Sequence, residues 1–142
     1  MPLPNIEFWP DIQYLYGCVA FVADKYESQE IVIRNEGPLG YVSQLQGLAY
    51  FYEDYLLSIA AVMFRTMVKG HPLQDGNKRL GCFLAENFLL CNNMKLIASD
   101  EALFEVAMSL ATSQFDWPEV RAWLEENTEC IDLPPSFEPE IK

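Results

Sequence analysis

Histidine is nearly absent from this chain: His71 is the single one among 142 residues. Positive charge is scarce as well, with nine Lys and Arg against twenty-one Asp and Glu and a formal net charge of −12. Nucleic acids and anionic membranes both call for a basic footprint, so neither direct nucleic-acid binding nor membrane binding is expected. Cys18, Cys82, Cys91 and Cys130 form no C-x-x-C pair, which argues against a zinc site or a disulfide framework. Cys82 and Cys91 fall in one apolar helical pattern, as buried thiols of a reducing compartment would. The longest uncharged apolar run, "YLLSIAAVMF" at 55–64, is bounded by Asp54 and Arg65 and falls short of the roughly 20 residues a bilayer span needs. The opening "MPLPNIEFWPDIQ" has no basic region followed by an apolar one, so no signal peptide is readable and a cytoplasmic protein is expected. Internal repeats, low-complexity blocks and alternating strand patterns are likewise missing.

What is present is helical periodicity over a composition that is 51% hydrophobic, enough for one buried core. Ile12, Leu15, Tyr16, Val19, Ala20 and Ala23 recur at helical spacing over 10–26, with Asp11 as a cap. The β-branched run Ile31 to Ile33 then meets the turn formers Asn35, Gly37, Pro38 and Gly40, predicting a loop or short extended flap and a brief helix around 39–46. From Leu48 to Val68 nearly every face is apolar, the signature of a helix at the centre of a bundle. Gly70 and Pro72 end it, and a second core helix carries Leu80, Phe83, Leu84, Phe88 and Cys91 up to Asn92–Asn93. Ser99 opens a helix over 100–112, and "DWPE" resembles a capping box for a last helix over 117–127. These patterns predict an all-α bundle of five to six helices, one domain over 1–130. The acidic, proline-rich tail 131–142 is expected to be loosely ordered. From Asp100 to Lys142 stand eleven acids and two bases, which reads as a solvated face.

The chemistry concentrates in "GHPLQDGNKRLG", residues 70–81, between the two core helices. Arg65, Lys69, Lys78 and Arg79, four of the nine basic residues, lie in fifteen positions whose only acid is Asp75. A loop running into a helix start presents unpaired N–H groups and the positive end of the helix dipole, so the segment around Gly76 and Asn77 is a natural anion cradle. Gly76 has no Cβ to obstruct a ligand. Lys78 and Arg79 oppose the dipole at a first helical turn, and a phosphate there would account for them. Asp75 is the lone carboxylate that Mg²⁺ takes alongside phosphate oxygens. An imidazole, ordinarily titrating near about 6.5, makes His71 the candidate base for a hydroxyl attacking phosphorus. Singly, each residue has an ordinary reading as a turn or a solvated helix face; together, within nine residues, they form a phosphotransfer set. The segment is not a Walker A loop.

"HPLQDGNKR" resembles the signature of the Fic/Doc superfamily, and specifically its death-on-curing (Doc) branch. Fic proteins read approximately H-P-F-x-[DE]-G-N-G-R-x-x-R and Doc proteins approximately H-x-F-x-D-[AG]-N-K-R. Lys78 stands at the second glycine of the Fic pattern and Cys82 at its second arginine, both departures being those of Doc, while Leu73 replaces the phenylalanine that anchors the loop. "IRNEGPLGYVSQLQG" is similar to the segment upstream of the Doc motif, and the likeness covers most of residues 10–127.

The resemblance implies a compact helical bundle with the motif loop between two central helices and a short flap near it, able to pair with an extended target segment. It implies a toxin of a toxin–antitoxin system, a kinase moving the γ-phosphate of ATP to a threonine of elongation factor Tu and stopping translation. It also implies a Phd-like antitoxin as partner and ATP with Mg²⁺ as cofactors. His71 would be the base, Asp75 the magnesium ligand, Gly76, Asn77, Lys78 and Arg79 the nucleotide-binding set, with Lys78 and Arg79 also catalytic. The alternatives are a Fic-type AMP transferase and a catalytically inactive binding module. The self-inhibitory pattern of some Fic proteins, roughly [ST]-x-x-x-E-[GN], is not readable: Val32 and Ala122 stand four residues before Glu36–Gly37 and Glu126–Asn127.

Overall fold

The computed structural model describes residues 6–26, 31–45 and 55–131. Among them are six helices: α1 (Ile12–Lys25), α2 (Gly37–Ser43), α3 (Tyr55–Gly70), α4 (Asn77–Cys91), α5 (Asp100–Thr112) and α6 (Trp117–Asn127). The architecture is all-α, as the periodicities predict. The expected start of α3, at 48–54, and the tail from 132 onward lie outside the described residues.

α3 is the axis of the bundle, packing most extensively on α4, then on α6, and also touching α5 and α2. Its all-round apolar sequence explains the position: from Leu56 to Phe64 every residue is buried, and Arg65 is the first to reach solvent. α4 approaches α3 closely because Gly81 faces it; a Cβ there would stand 3.1 Å from Val68 Cγ2. Phe64, Met67, Leu80, Leu84 and Phe88 fill the seam between the two helices. A larger residue at 81 would push apart the helices that bracket the motif loop.

The helix starts follow local chemistry. The Asp11 carboxylate accepts from Tyr14 N–H and the Ser99 hydroxyl from Ala102 N–H, both as expected of N-caps. Asp116 caps α6 differently from the anticipated capping box: its carboxylate accepts from Trp117 N–H at 2.7 Å and also reaches the basic side chains of α3.

A two-stranded antiparallel sheet, β1 (Met94–Leu96) with β2 (Thr128–Cys130), was not predicted. Strands of three residues are too short for alternation to register in a sequence; here the Asn92–Asn93 turn, with Asn93 at φ 68, aims the chain so that Met94 and Leu96 face the core. The thiols also divide more finely than expected. Cys18 is buried, Cys82 and Cys91 are half-buried, Cys130 is exposed, and no disulfide links any of them. Burial pushes the Cys18 and Cys82 thiols up to about 12, in the second case aided by the nearby Glu86 and Asp100, so neither is a nucleophile at neutral pH. Among the described residues no helix is long and apolar enough to cross a membrane.

Asn92 fixes the far end of α4. Fully buried, it accepts from Glu7 N–H and Phe8 N–H at 2.7 and 2.8 Å and donates to Phe8 C=O and Phe88 C=O. Replacing Asn92→Ala leaves these backbone groups without partners and is expected to cost about 2–4 kcal/mol, read as a lower urea midpoint with an unchanged m-value.

Candidate active site

The loop from His71 to Gly76 joins the two central helices, and its shape is set by two clamps. The first is Asn77, at the first turn of α4. Its Oδ1 accepts from Leu73 N–H at 2.8 Å and its Nδ2 donates to Leu73 C=O at 3.0 Å, so one amide satisfies both backbone groups of one loop residue. The second is the extended segment before α2. Arg34 and Asn35 donate N–H groups to Pro72 C=O, Gln74 N–H donates to Val32 C=O, and Ile33 and Leu73 form an antiparallel bridge. The predicted flap is therefore an extended segment joined to the motif loop by a single β-bridge. Between the clamps Leu73 sinks into the core at 1% exposure, filling the anchor position with less bulk than phenylalanine.

Held this way, the loop supports two backbone conformations that a free chain disfavours. His71 sits at φ 52, in the left-handed region that costs a non-glycine residue on the order of 1 kcal/mol. Gly76 sits at φ 88, and a Cβ there would also stand 3.0 Å from Ile31 Cγ1 of the flap. Glycine is required twice over, by dihedral and by contact.

The exposed His71 ring stands above Asn77, with Nδ1 3.4 Å from Asn77 Nδ2. If the amide donates there, the neutral ring carries its proton on Nε2. Accepting a proton at Nε2 then means giving up this long, weak contact for the other tautomer. Asp75 is exposed, and its Oδ1 accepts from Gly76 N–H at 2.8 Å. That bond shifts the anticipated anion cradle by one residue. Gly76 N–H is engaged, and Asn77, Lys78 and Arg79 present the N–H groups that precede the first intrahelical bond, from Leu80 N–H to Gly76 C=O. The side chain of Asn77 is committed to Leu73, which leaves its backbone N–H as its direct means of touching a ligand.

These elements surround one cavity of about 290 Å³, with His71, Asp75, Lys78 and Arg79 on its polar side and Val68 and Phe104 as apolar walls. A second cavity, of about 100 Å³, adjoins it and shares Arg79 and Phe104; Phe21, Tyr26, Cys82 and Phe83 also line it. Phe104 and Tyr26 carry no signal of their own in the sequence: Phe104 sits within an amphipathic helical pattern and Tyr26 at the end of one. The cluster of basic residues proves to be two groups. Lys78 and Arg79 face the cavity, whereas Arg65 Nε and Lys69 Nζ lie 3.1 and 3.9 Å from the Asp116 carboxylate. Sequence proximity placed all four near His71; the helical twist turns the pair on α3 toward α6.

Burial pushes the Asp116 carboxyl up, but the Trp117 N–H and the Arg65 and Lys69 charges outweigh it and hold the group below its ordinary 3.8. A carboxyl lowered in the folded state adds stability above its unfolded pKa and loses it as pH falls through the folded value. The stability difference between the native chain and Asp116→Asn is therefore expected to stay constant above about pH 5 and to shrink below about pH 4, in urea titrations at a series of pH values. At the loop, Asn77→Ala frees Leu73 N–H and C=O and is expected to cost about 1–3 kcal/mol. It should also raise hydrogen exchange at Leu73 and Gln74, while Asn77→Asp, which keeps only the acceptor, falls between.

Residues 27–89 match the family model described as the Fic/DOC family. The matched stretch takes in the flap, the loop and most of the two helices that hold it, and it supports the superfamily likeness carried by the motif. No curated protein matches the chain.

Proposed function

We propose, from a Fic/DOC-family segment built around the loop at 71–76, that the protein is a Doc-like phosphotransferase. It would move the γ-phosphate of ATP to a hydroxyl of a protein target, by resemblance a threonine of elongation factor Tu, as the toxin of a toxin–antitoxin pair. The observation that carries the reading is the convergence of His71, Asp75, Lys78 and Arg79 on one cavity at the open N-terminus of α4.

In this reading the phosphates lie against the N–H groups of Asn77, Lys78 and Arg79, with the Lys78 ammonium and Arg79 guanidinium countering their charge. Asp75 fits a magnesium ligand. One carboxylate oxygen is engaged with Gly76 and the other is open. Among the described residues no group of three or more His, Cys, Asp or Glu could hold a metal unaided. A single carboxylate suits an ion that completes its shell with phosphate oxygens and water. When bound, Mg²⁺ supplies charge neutralisation at the phosphates. His71 accepts the proton of the target hydroxyl as its oxygen forms the new bond to the γ-phosphorus and ADP leaves.

Position 82 favours γ- over α-phosphate transfer. Where the Fic signature has its second arginine, this chain has a half-buried thiol raised to about 12, which offers no charge to a nucleotide phosphate. The flap bonds use the N–H of Arg34 and the C=O of Val32, so the backbone groups of Ile33 face away from the loop. They are available to an extended target segment. The unreadable self-inhibitory pattern is consistent with control by a separate Phd-like antitoxin.

The test is incubation of the protein with lysate, Mg²⁺ and ATP labelled at the α or the γ position. Label is expected from the γ position only, and His71→Ala should lower transfer by about 10²–10⁴-fold. Transfer from the α position would identify an AMP transferase; no transfer from either, with elongation factor Tu present and antitoxin absent, would identify a binding module.

A further inference from the structure

Arg79 is treated unlike Arg65 and Arg121. Arg65 Nε bonds to Asp116 at 3.1 Å and Arg121 Nη1 to Glu125 at 2.8 Å, so both have donors taken up by carboxylates. Arg79 instead lies with its Cζ 4.2 Å from the centroid of the Tyr26 ring, in a chain with more than twice as many acids as bases. Asp100 lines the same small cavity as Arg79, yet no ion pair joins the two among the described residues. The difference is functional in kind. A carboxylate would orient the guanidinium by occupying its N–H groups, whereas an aromatic face orients it through the ring quadrupole and leaves the in-plane donors open.

The location adds to the argument. Tyr26 follows the last residue of α1 and is 42% exposed, a large aromatic that the core does not require. Arg79 lies at the boundary of the two cavities and lines both. Its side chain could swing toward solvent or into the smaller cavity beside Glu86 and Asp100. Contact with the ring face opposes both courses and keeps Arg79 where the two cavities meet. The ammonium of Lys25, 5.7 Å from the same ring centroid, adds positive potential without competing for donors.

We infer that Tyr26 is a positioning residue for Arg79: its ring holds the guanidinium over its face at the junction of the two cavities, with N–H donors open to a polyphosphate. The inference rests on the proposed phosphate-binding role of Arg79 and specifies what keeps that side chain ready before any ligand arrives. The advantage lies in pre-organisation, so it appears in binding and KM more than in kcat.

The experiment is a double-mutant cycle on MgATP and inorganic pyrophosphate affinity, by calorimetry, with thermal melting as the check on folding. Tyr26→Leu is expected to weaken both ligands about two- to fivefold, and Tyr26→Phe, which keeps the ring face, to restore native affinity. In the Arg79→Ala background Tyr26→Leu should have no further effect. An equal loss from Tyr26→Leu with and without Arg79, or no loss while Arg79→Ala weakens binding, would overturn the positioning role and leave the phosphate site standing. No effect of Arg79→Ala on either ligand would instead remove Arg79 from the phosphate site. Pyrophosphate binding without nucleotide binding would sink the kinase reading while the cycle on pyrophosphate still decided the role of Tyr26.

Discussion

Everything at the candidate site depends on one residue being held at both ends. Leu73 has its side chain in the core and its N–H and C=O bonded to the amide of Asn77. Without that arrangement the loop would have neither the register to pair with the flap nor the rigidity to keep His71 and Gly76 left-handed. The anchor is two-sided by necessity. An apolar side chain drags its backbone into the interior, and buried backbone groups require partners. α4 supplies both from a side chain in its first turn, so the element whose open N-terminus lines the cavity also shapes the loop in front of it.

The flap closes the same circuit from the opposite side. Its backbone bonds to Pro72 and Gln74, and its Ile31 side chain packs so near Gly76 that a methyl group would crowd it. Loop, flap and helix start thus form a small unit in which each part limits the others. Such over-determination is what lets strained dihedrals persist at a site of chemistry.

Much of this was legible in the sequence. The apolar character of Leu48 to Val68 on nearly every face identifies the central helix, and Asp11 and Ser99 mark helix starts, because both signals are local. The loop is legible as a candidate site because it concentrates unlike chemistries in nine residues. What escaped depends on three-dimensional placement. Arg65 and Lys69 are near His71 in sequence but turn toward Asp116 on another helix. The bonds of the Asn77 amide to both backbone groups of Leu73 follow from the turn of the loop, which no sequence period records. The β1–β2 pairing joins residues far apart in the chain through strands too short to carry a period.

The far end of α4 completes the picture. Asn92 receives the chain at Glu7 and Phe8, while its neighbour Asn93 accepts from Ile131 N–H, so the described structure is entered and left at one place. Fifteen helical residues at 1.5 Å each put that place about 22 Å from the start of α4. The two ends of the described residues and the candidate site therefore lie at opposite poles of the helix. Fraying of the described structure from Glu7 or from Ile131 would therefore begin about 22 Å from the loop at 71–76, and the length of α4 separates the two.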